Sequence, residues 1–379
     1  MRRVMLSSRL PALRWLVGAT CIALAGTAYL VWAAASGSGN ARTQAAQAGS
    51  DAGTHSAVRD LPLEASLRQV DEALLKFRPG HALAPERRQA LAALDAILHE
   101  EDAPARAPLQ RFFHRRIEQL LAQLQANVRS GATIWHVYNH GFVVRTASAT
   151  LCFDLVRPKY LGNFALDEPT MRRIVDACDV LFVSHAHADH AENFVAQSFI
   201  EQGKPVVAPE QIGYRASFYS AVTHLEPAAD KVYSVSIKQG TVNLGVVVFP
   251  GHQDIEMDNN VVLVTTPEGI SVAHTGDQWQ TADFSWIDRV SERYKVDILL
   301  PNDWTYDIAR LVRGFNPAVV VPGHSNELGH EPEKRQPYLL GYQRKSGSGH
   351  FGGSAGEGYV QPLVVLAWGE SFHYQPAPR

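Results

Sequence analysis

The stretch Ser184–His190, "SHAHADH", puts three imidazoles and one carboxylate into seven positions of a 379-residue chain that holds 16 His. It follows Val180–Val183, an apolar run that reads as a buried strand. Side chains alternate along an extended chain, so His185 and His187 leave the strand on one side. Asp189 and His190 are expected at the start of the following helix. Imidazole and carboxylate together are good ligands for Zn²⁺ and similar divalent ions. The competing reading is a polar strand-to-helix loop whose aspartate caps the helix.

Three later stretches favour the metal. "FPGHQD", "AHTGDQ" and "VPGHSNE" bring His252, Asp277 and His324, each at the end of a β-rich run and each directly behind a glycine (Gly251, Gly276, Gly323). Glycine permits the tight backbone such positions need. The runs "TIWHVY", "FVVRT" and "ATLCFDLV" read as a meander of short strands. Further β runs, from "PVVAP" and "KVYSVSI" to "VDILLP" and "AVVVPG", alternate with helical segments. That alternation implies sheets covered by helices, an α/β or layered αββα arrangement, with the ligand candidates gathered at one edge.

With these residues in this order, the chain resembles the metallo-β-lactamase-fold hydrolases over about Thr133–Trp368. "IWHVYNHGFVVRTASATLCFDLV" also looks like that fold's opening meander. The resemblance implies a four-layer αββα fold and two divalent metal ions. His185, His187 and His252 would hold one ion; Asp189, His190 and His324 would hold the other; Asp277 would bridge both. Two ions ~3.5–4 Å apart lower the pKa of a shared water and clamp the reacting oxygens. The hydroxide would attack a carbonyl or phosphorus, oriented by Asp189, without a covalent enzyme intermediate. Zn²⁺ is the default metal, with Mn²⁺ and Fe²⁺ open.

Within that superfamily, Asp277 in place of a Cys argues against the antibiotic-destroying subgroup. "HAHADH" without a Glu argues against the diiron oxygen-reducing branch, and the short spacing from Asp277 to His324 argues against the nuclease branch. The pattern is most similar to the branch of sugar-phosphate lactonases and N-acyl-phosphatidylethanolamine phospholipase D, from which "HSNELGH" departs. An ester, lactone or phosphodiester is the expected substrate bond. A metal-binding module without turnover, serving as receptor or scaffold, is the alternative.

Composition is ordinary, at 46% hydrophobic and 19% charged with a net charge of -3. It lacks the basic footprint of a nucleic-acid binder, so a small-molecule or lipid-like substrate is expected. No GxSxG supports a serine hydrolase. Arg2, Arg3, Arg9 and Arg14 precede an uncharged run from Trp15 to Ala35. The run suits a spanning helix of ~20 residues with the short tail cytoplasmic and the remainder exported. A signal peptide cleaved after Ala33–Ala35 is the competing reading. The expected organisation is therefore a tail (1–14), a membrane anchor or signal (15–35), a flexible linker (36–60), a helical accessory region (61–130) and the hydrolase domain (131–373). In the accessory region Leu109, Phe113, Ile117, Leu120, Leu121 and Leu124 form one helical stripe, read as a face packed on the main domain.

Cys152 and Cys178 are the only plausible disulfide pair, against the reading of free Cys as small buried hydrophobes. His136, His140, His274 and His330 are candidates to support the ligands or face substrate, as is "NDWTYD" (302–307). Trp279, Trp286 and Trp304 are candidates for an apolar wall. "GSGHFG" (347–352) spells GxGxxG but follows no strand and reads as a loop, with His350 and Phe351 near the site.

Overall fold

A computed structural model of the protein describes residues 48–253, 257–348 and 356–377. The tail, the apolar span 15–35, the first part of the linker, His350 and Phe351 lie outside the described residues. Among the described residues no helix is long and apolar enough to cross a membrane. The chain divides into two units, Met1–His55 and Ser56–Arg379, and the second holds both sheets and every candidate ligand.

Three helices come first: α1 (Ala48–Lys76), α2 (Pro85–Leu98) and α3 (Ala107–Gln123). α1 begins inside the stretch expected to be linker. Pro85 opens α2, where its missing N–H costs nothing. The whole stripe from Leu109 to Leu124 is buried, with Phe113 packed on Tyr138 and Trp368. Each such side chain contributes roughly 1.5–3 kcal/mol by leaving water. Arg87 of α2 donates to both oxygens of Glu370, at 2.8 and 2.5 Å. The helical region thus shares the core of the second unit.

The first sheet is built from β1 (Ala132–His136), β2 (Phe142–Arg145) and β3 (Thr150–Phe153), then α4 (Glu168–Ala177), β4 (Val180–Phe182), α5 (Asn193–Glu201) and β5 (Val206–Val207). The second takes β6 (Tyr233–Ile237), β7 (Val242–His252), β8 (Asp258–Thr265) and β9 (Ser271–His274). Then come α6 (Phe284–Ile287), α7 (Val290–Arg293), β10 (Ile298–Leu300), α8 (Ile308–Phe315), β11 (Val319–Val320) and α9 (Leu340–Lys345). A last strand, β12 (Ser371–Tyr374), which lies beyond the stretch carrying the resemblance, returns to pair antiparallel with β1. The strand orders are β12-β1-β2-β3-β4-β5 and β11-β10-β9-β8-β7-β6.

Alternation assigns the faces. Val180 and Phe182 join a core with Val246, Val262 and Ile298 of the other sheet, whereas Leu181 between them joins the cluster shared with the helices. Helices therefore cover the outer faces of two stacked sheets, the expected αββα layering. β3, β4 and β5 run parallel, as do β9, β10 and β11, so their carboxyl ends collect at one edge. Such an edge is where open α/β sheets place ligands. Cys152 of β3 and Cys178 after α4 form a buried disulfide.

Candidate metal centre

Ser184 is where the two sheets meet. Its carbonyl accepts from Asn260 N of β8 at 2.8 Å, and Gly276 packs so closely that a Cβ there would lie 2.4 Å from Ser184 Cβ. This closeness brings the turn after β4 against the end of β9, and six of the seven expected ligands converge. His185 Nε2 lies 3.1 Å from His187 Nδ1 and 3.7 Å from Asp277 Oδ2. His190 Nε2 lies 3.2 Å from both Asp189 Oδ2 and Asp277 Oδ1. His324 Nε2 is 3.3 Å from Asp189 Oδ2 and 3.5 Å from Asp277 Oδ2. Among the described residues four groups have all their ligand atoms within 4.8 Å: His185 with His187 and Asp277, Asp189 with His190 and His324, and two built on His140, one with Asp154 and His274 and one with His190 and Asp277. Asp277 faces both of the first two.

His252 stands apart from the other six, and the turn at Asp189 differs from the expectation. His252 joins no such group among the described residues. It ends β7 half-exposed, with its Nδ1 on Asp283 Oδ1 at 2.8 Å, and residues 254–256 beyond Gln253 lie outside the described residues. Asp189 and His190 do not begin a helix. The backbone turns on His187 O, which accepts from His190 N and Ala191 N, and α5 starts only at Asn193. Glu192 is held by the Arg157 guanidinium at 2.6 Å, and Asp189 receives Asn139 Nδ2 at 3.0 Å instead of capping.

The candidate ligands are aimed by residues that sequence reasoning missed. Asp154, just past β3, accepts from Ser184 N (2.7 Å), Ser184 Oγ (2.6 Å) and His190 Nδ1 (2.8 Å). Asp154 therefore holds the proton on His190 Nδ1 and turns the buried Nε2 toward Asp189 and Asp277. Ser184 Oγ, having donated to Asp154, accepts from His185 Nδ1 at 2.9 Å and frees that ring's Nε2 in the same way. Asp283 does this for His252. Asn302 Nδ2 donates to Asp277 Oδ1 at 2.5 Å, and Asn259 Oδ1 accepts from Asp277 N at 3.0 Å. Asn139, Asp154 and His324 all sit at positive φ (52°, 43° and 66°). Such backbone persists only where its surroundings over-determine it. A lone Asp or Asn at a strand end carries no spacing signal, so only their position next to the ligands reveals them.

Burial alone would push the carboxyls of Asp189 and Asp277 up, but the imidazoles of His190 and His324 overcome it and hold both well below the ordinary range. The same pairing works on the imidazoles: burial disfavours a charged His324, yet Asp277 and Asp189 raise it to about 10. Burial and the neighbouring His190 lower His185 to about 4. A concentration of buried carboxylates and imidazoles whose charges need each other, with Nε2 atoms facing inward, fits divalent ions in chemistry and in direction.

A cavity of about 490 Å³ opens on this cluster, lined among others by His187, Asp189, Gln278, Trp279, Trp304 and His330. Trp279 and Trp304 are thus wall residues. Trp286 is not: partly buried, it stacks on Phe249 at 5.0 Å and donates to Pro250 O, packed against the core away from this cavity. His330 faces the cavity. The rings of His140 and His274 lie 4.1 Å apart, tilted by 34°, with His274 Nε2 donating to His140 O. His136 lies between the carbonyls of Leu366 and Asn139 and serves the fold.

No protein-family model matches the sequence, and no curated protein does. Solved structures do. A metallo hydrolase from the archaeon Ignicoccus hospitalis is 18% identical over 65% of this chain and 100% of its own, with a TM-score of 0.42. A possible metal-dependent hydrolase from Veillonella parvula is 14% identical over 65% and 100%, at 0.44. Isothiocyanate hydrolase from Delia radicum gut bacteria is 12% identical over 64% and 99%, at 0.45. Likenesses of this size carry no argument about what the present site does. The chain's own two six-stranded sheets, with its His and Asp residues in this order at the strand ends, are consistent with the fold that the sequence resemblance implies.

Proposed function

We propose that the protein is a dinuclear, metal-dependent hydrolase that cleaves an ester, lactone or phosphodiester bond. The observation that carries this reading is the convergence of two ligand groups on Asp277, with the buried His190 Nε2 3.2 Å from both Asp189 and Asp277. When bound, two divalent ions, Zn²⁺ by default and Mn²⁺ or Fe²⁺ as alternatives, would supply Lewis acidity and an activated water. His185, His187 and Asp277 would hold one ion, with His252 as a further ligand; Asp189, His190 and His324 would hold the other with Asp277. Asp154 keeps the His190 proton on Nδ1, Asn302 and Asn259 hold the Asp277 carboxylate and its backbone, and Asn139 orients Asp189. The cavity beside the ligands favours turnover over a binding module, and Trp279 and Trp304 suit an apolar or lipid-like portion of the substrate.

The exported, membrane-anchored location is part of the same proposal. The arginines before the apolar run support it, and so does the Cys152–Cys178 disulfide, because such bonds persist in oxidising compartments. The test is a panel of esters, lactones and phosphodiesters of graded chain length offered to metal-loaded protein. Metal-dependent cleavage of one bond class supports the reading. Tight metal binding with no cleavage of any class would favour the receptor or scaffold.

A further inference from the structure

We propose that the helical region before β1 is a working part of the site: Asp95 of α2 and Arg335 fix the loop that carries His324 and thereby set how tightly the second ion binds. The inference rests on the two-metal reading above.

The loop from Gly323 to Leu339 joins β11 to α9 with no regular structure except a short turn at Pro332–Lys334. It bears the ligand His324 and the wall residue His330. Both His324 and Asn326 hold left-handed backbone, at φ 66° and 55°. A segment so irregular needs external partners to keep one conformation, and it finds them on α2.

Asp95 is buried on the inner face of α2. Its Oδ1 accepts from Asn326 Nδ2 at 2.9 Å and Tyr338 N at 2.8 Å, and its Oδ2 from Leu339 N at 3.4 Å. Every hydrogen bond to this carboxylate therefore comes from the loop, two residues from His324 at one end and at the entry to α9 at the other. Burying a carboxylate is expensive unless its lone pairs are filled, so the arrangement is specific to this loop. Arg335 works from the other side. It donates to Leu98 O (2.5 Å) and Glu100 O (3.0 Å) at the carboxyl end of α2, where a cation is favoured. It also donates to His330 O (2.9 Å) and Leu328 O (3.3 Å) within the loop. Asp95 and Arg335 touch no ligand themselves. They are positioning residues, acting through Asn326 and the loop backbone.

The experiment titrates Zn²⁺ into the full chain against a chromophoric chelator, resolving two successive affinities, alongside thermal unfolding. Asp95→Ala removes the carboxylate. Asn326→Gly keeps the left-handed backbone while removing the side-chain bond, which covers the case in which Asp95→Ala does not fold. Asp71→Ala is the control: it breaks the 2.6 Å pair with Arg116, in the same helical region but away from the loop. The second ion should bind about tenfold or more weakly in both loop variants, the range seen when a ligand's support is lost. The first affinity should be unchanged, and Asp71→Ala should lower the melting temperature alone. Unchanged second affinity in the loop variants overturns the proposal, as does an equal loss in Asp71→Ala at matched stability. A wild-type chain that takes up no second ion sinks the two-metal reading itself, and this proposal with it.

Discussion

Exchanging Asp154 for Asn alters a single side-chain atom and should dismantle half of the metal centre. Asn tolerates the positive φ of 43° at this position. Ser184 N, 2.7 Å from Oδ1, needs an acceptor, so the amide oxygen must take that place. The amide NH₂ then replaces Oδ2, where it meets Ser184 Oγ and His190 Nδ1 at 2.6 and 2.8 Å. The hydroxyl can turn and accept. The imidazole can accept only by moving its proton to Nε2, the atom that lies 3.2 Å from Asp189 and Asp277. A protonated Nε2 cannot ligate. The expected loss is 10- to 100-fold in affinity for the second ion, or about 1.4–2.7 kcal/mol. The folding cost comes from two altered hydrogen bonds, those of Ser184 Oγ and His190 Nδ1, at about 0.5–1.5 kcal/mol each. Competition with a chelator measures the first and a denaturant midpoint the second. Wild-type affinity for both ions in Asp154→Asn would refute the tautomer argument and the placing of His190 as a ligand.

Other consequences can be checked separately. Asp277→Ala should cut kcat/KM at least about a hundredfold, or about 2.7 kcal/mol of barrier, with little change in the unfolding midpoint; activity within a few-fold of wild type and intact metal content would contradict its bridging place. Burial raises the Asp95 carboxyl from 3.8 to about 6 against the opposing hydrogen bonds of Asn326, Tyr338 and Leu339. The folded chain then holds that proton more tightly than the unfolded chain. Its contribution to stability is full below about pH 4 and is lost as pH rises through about 6, on the order of 3 kcal/mol. Unfolding free energies across that window should fall more steeply for wild type than for Asp95→Asn, and equal slopes would count against the shift. A reporter fused after Arg379 should be active only on the exported side, given the arginines before the apolar run; cytoplasmic activity would overturn the proposed orientation.

The candidate ligands were legible as a cluster because their chemistry is concentrated. "SHAHADH" and three glycine-preceded residues at strand ends are dense, ordered signals, and six of the seven meet in space. The layering was legible from the alternation of apolar strands and helices. What escaped depends on contacts distant in sequence. β12 is four residues long and exists by pairing with β1. Asp154 looks like any strand-end aspartate until Ser184 and His190 fold onto it. Asp189 was expected at the start of a helix because its local sequence permits it, but Asn139 and the Arg157–Glu192 pair hold the turn in another shape. Trp286 resembled Trp279 and Trp304 in sequence, and only the path of α6 decides that it packs against Phe249. The accessory helices were expected to pack on the main domain, but nothing in their sequence tells that α2 grips the His324 loop.

The central claim is that these side chains form one two-metal centre, and counting the ions tests it most directly. Elemental analysis of the full chain, purified without chelators and loaded with Zn²⁺, should give about two ions per chain. In the Asp277→Ala variant the count should fall. One ion or none in the loaded wild type, or two ions that remain when Asp277 is removed, would contradict the account.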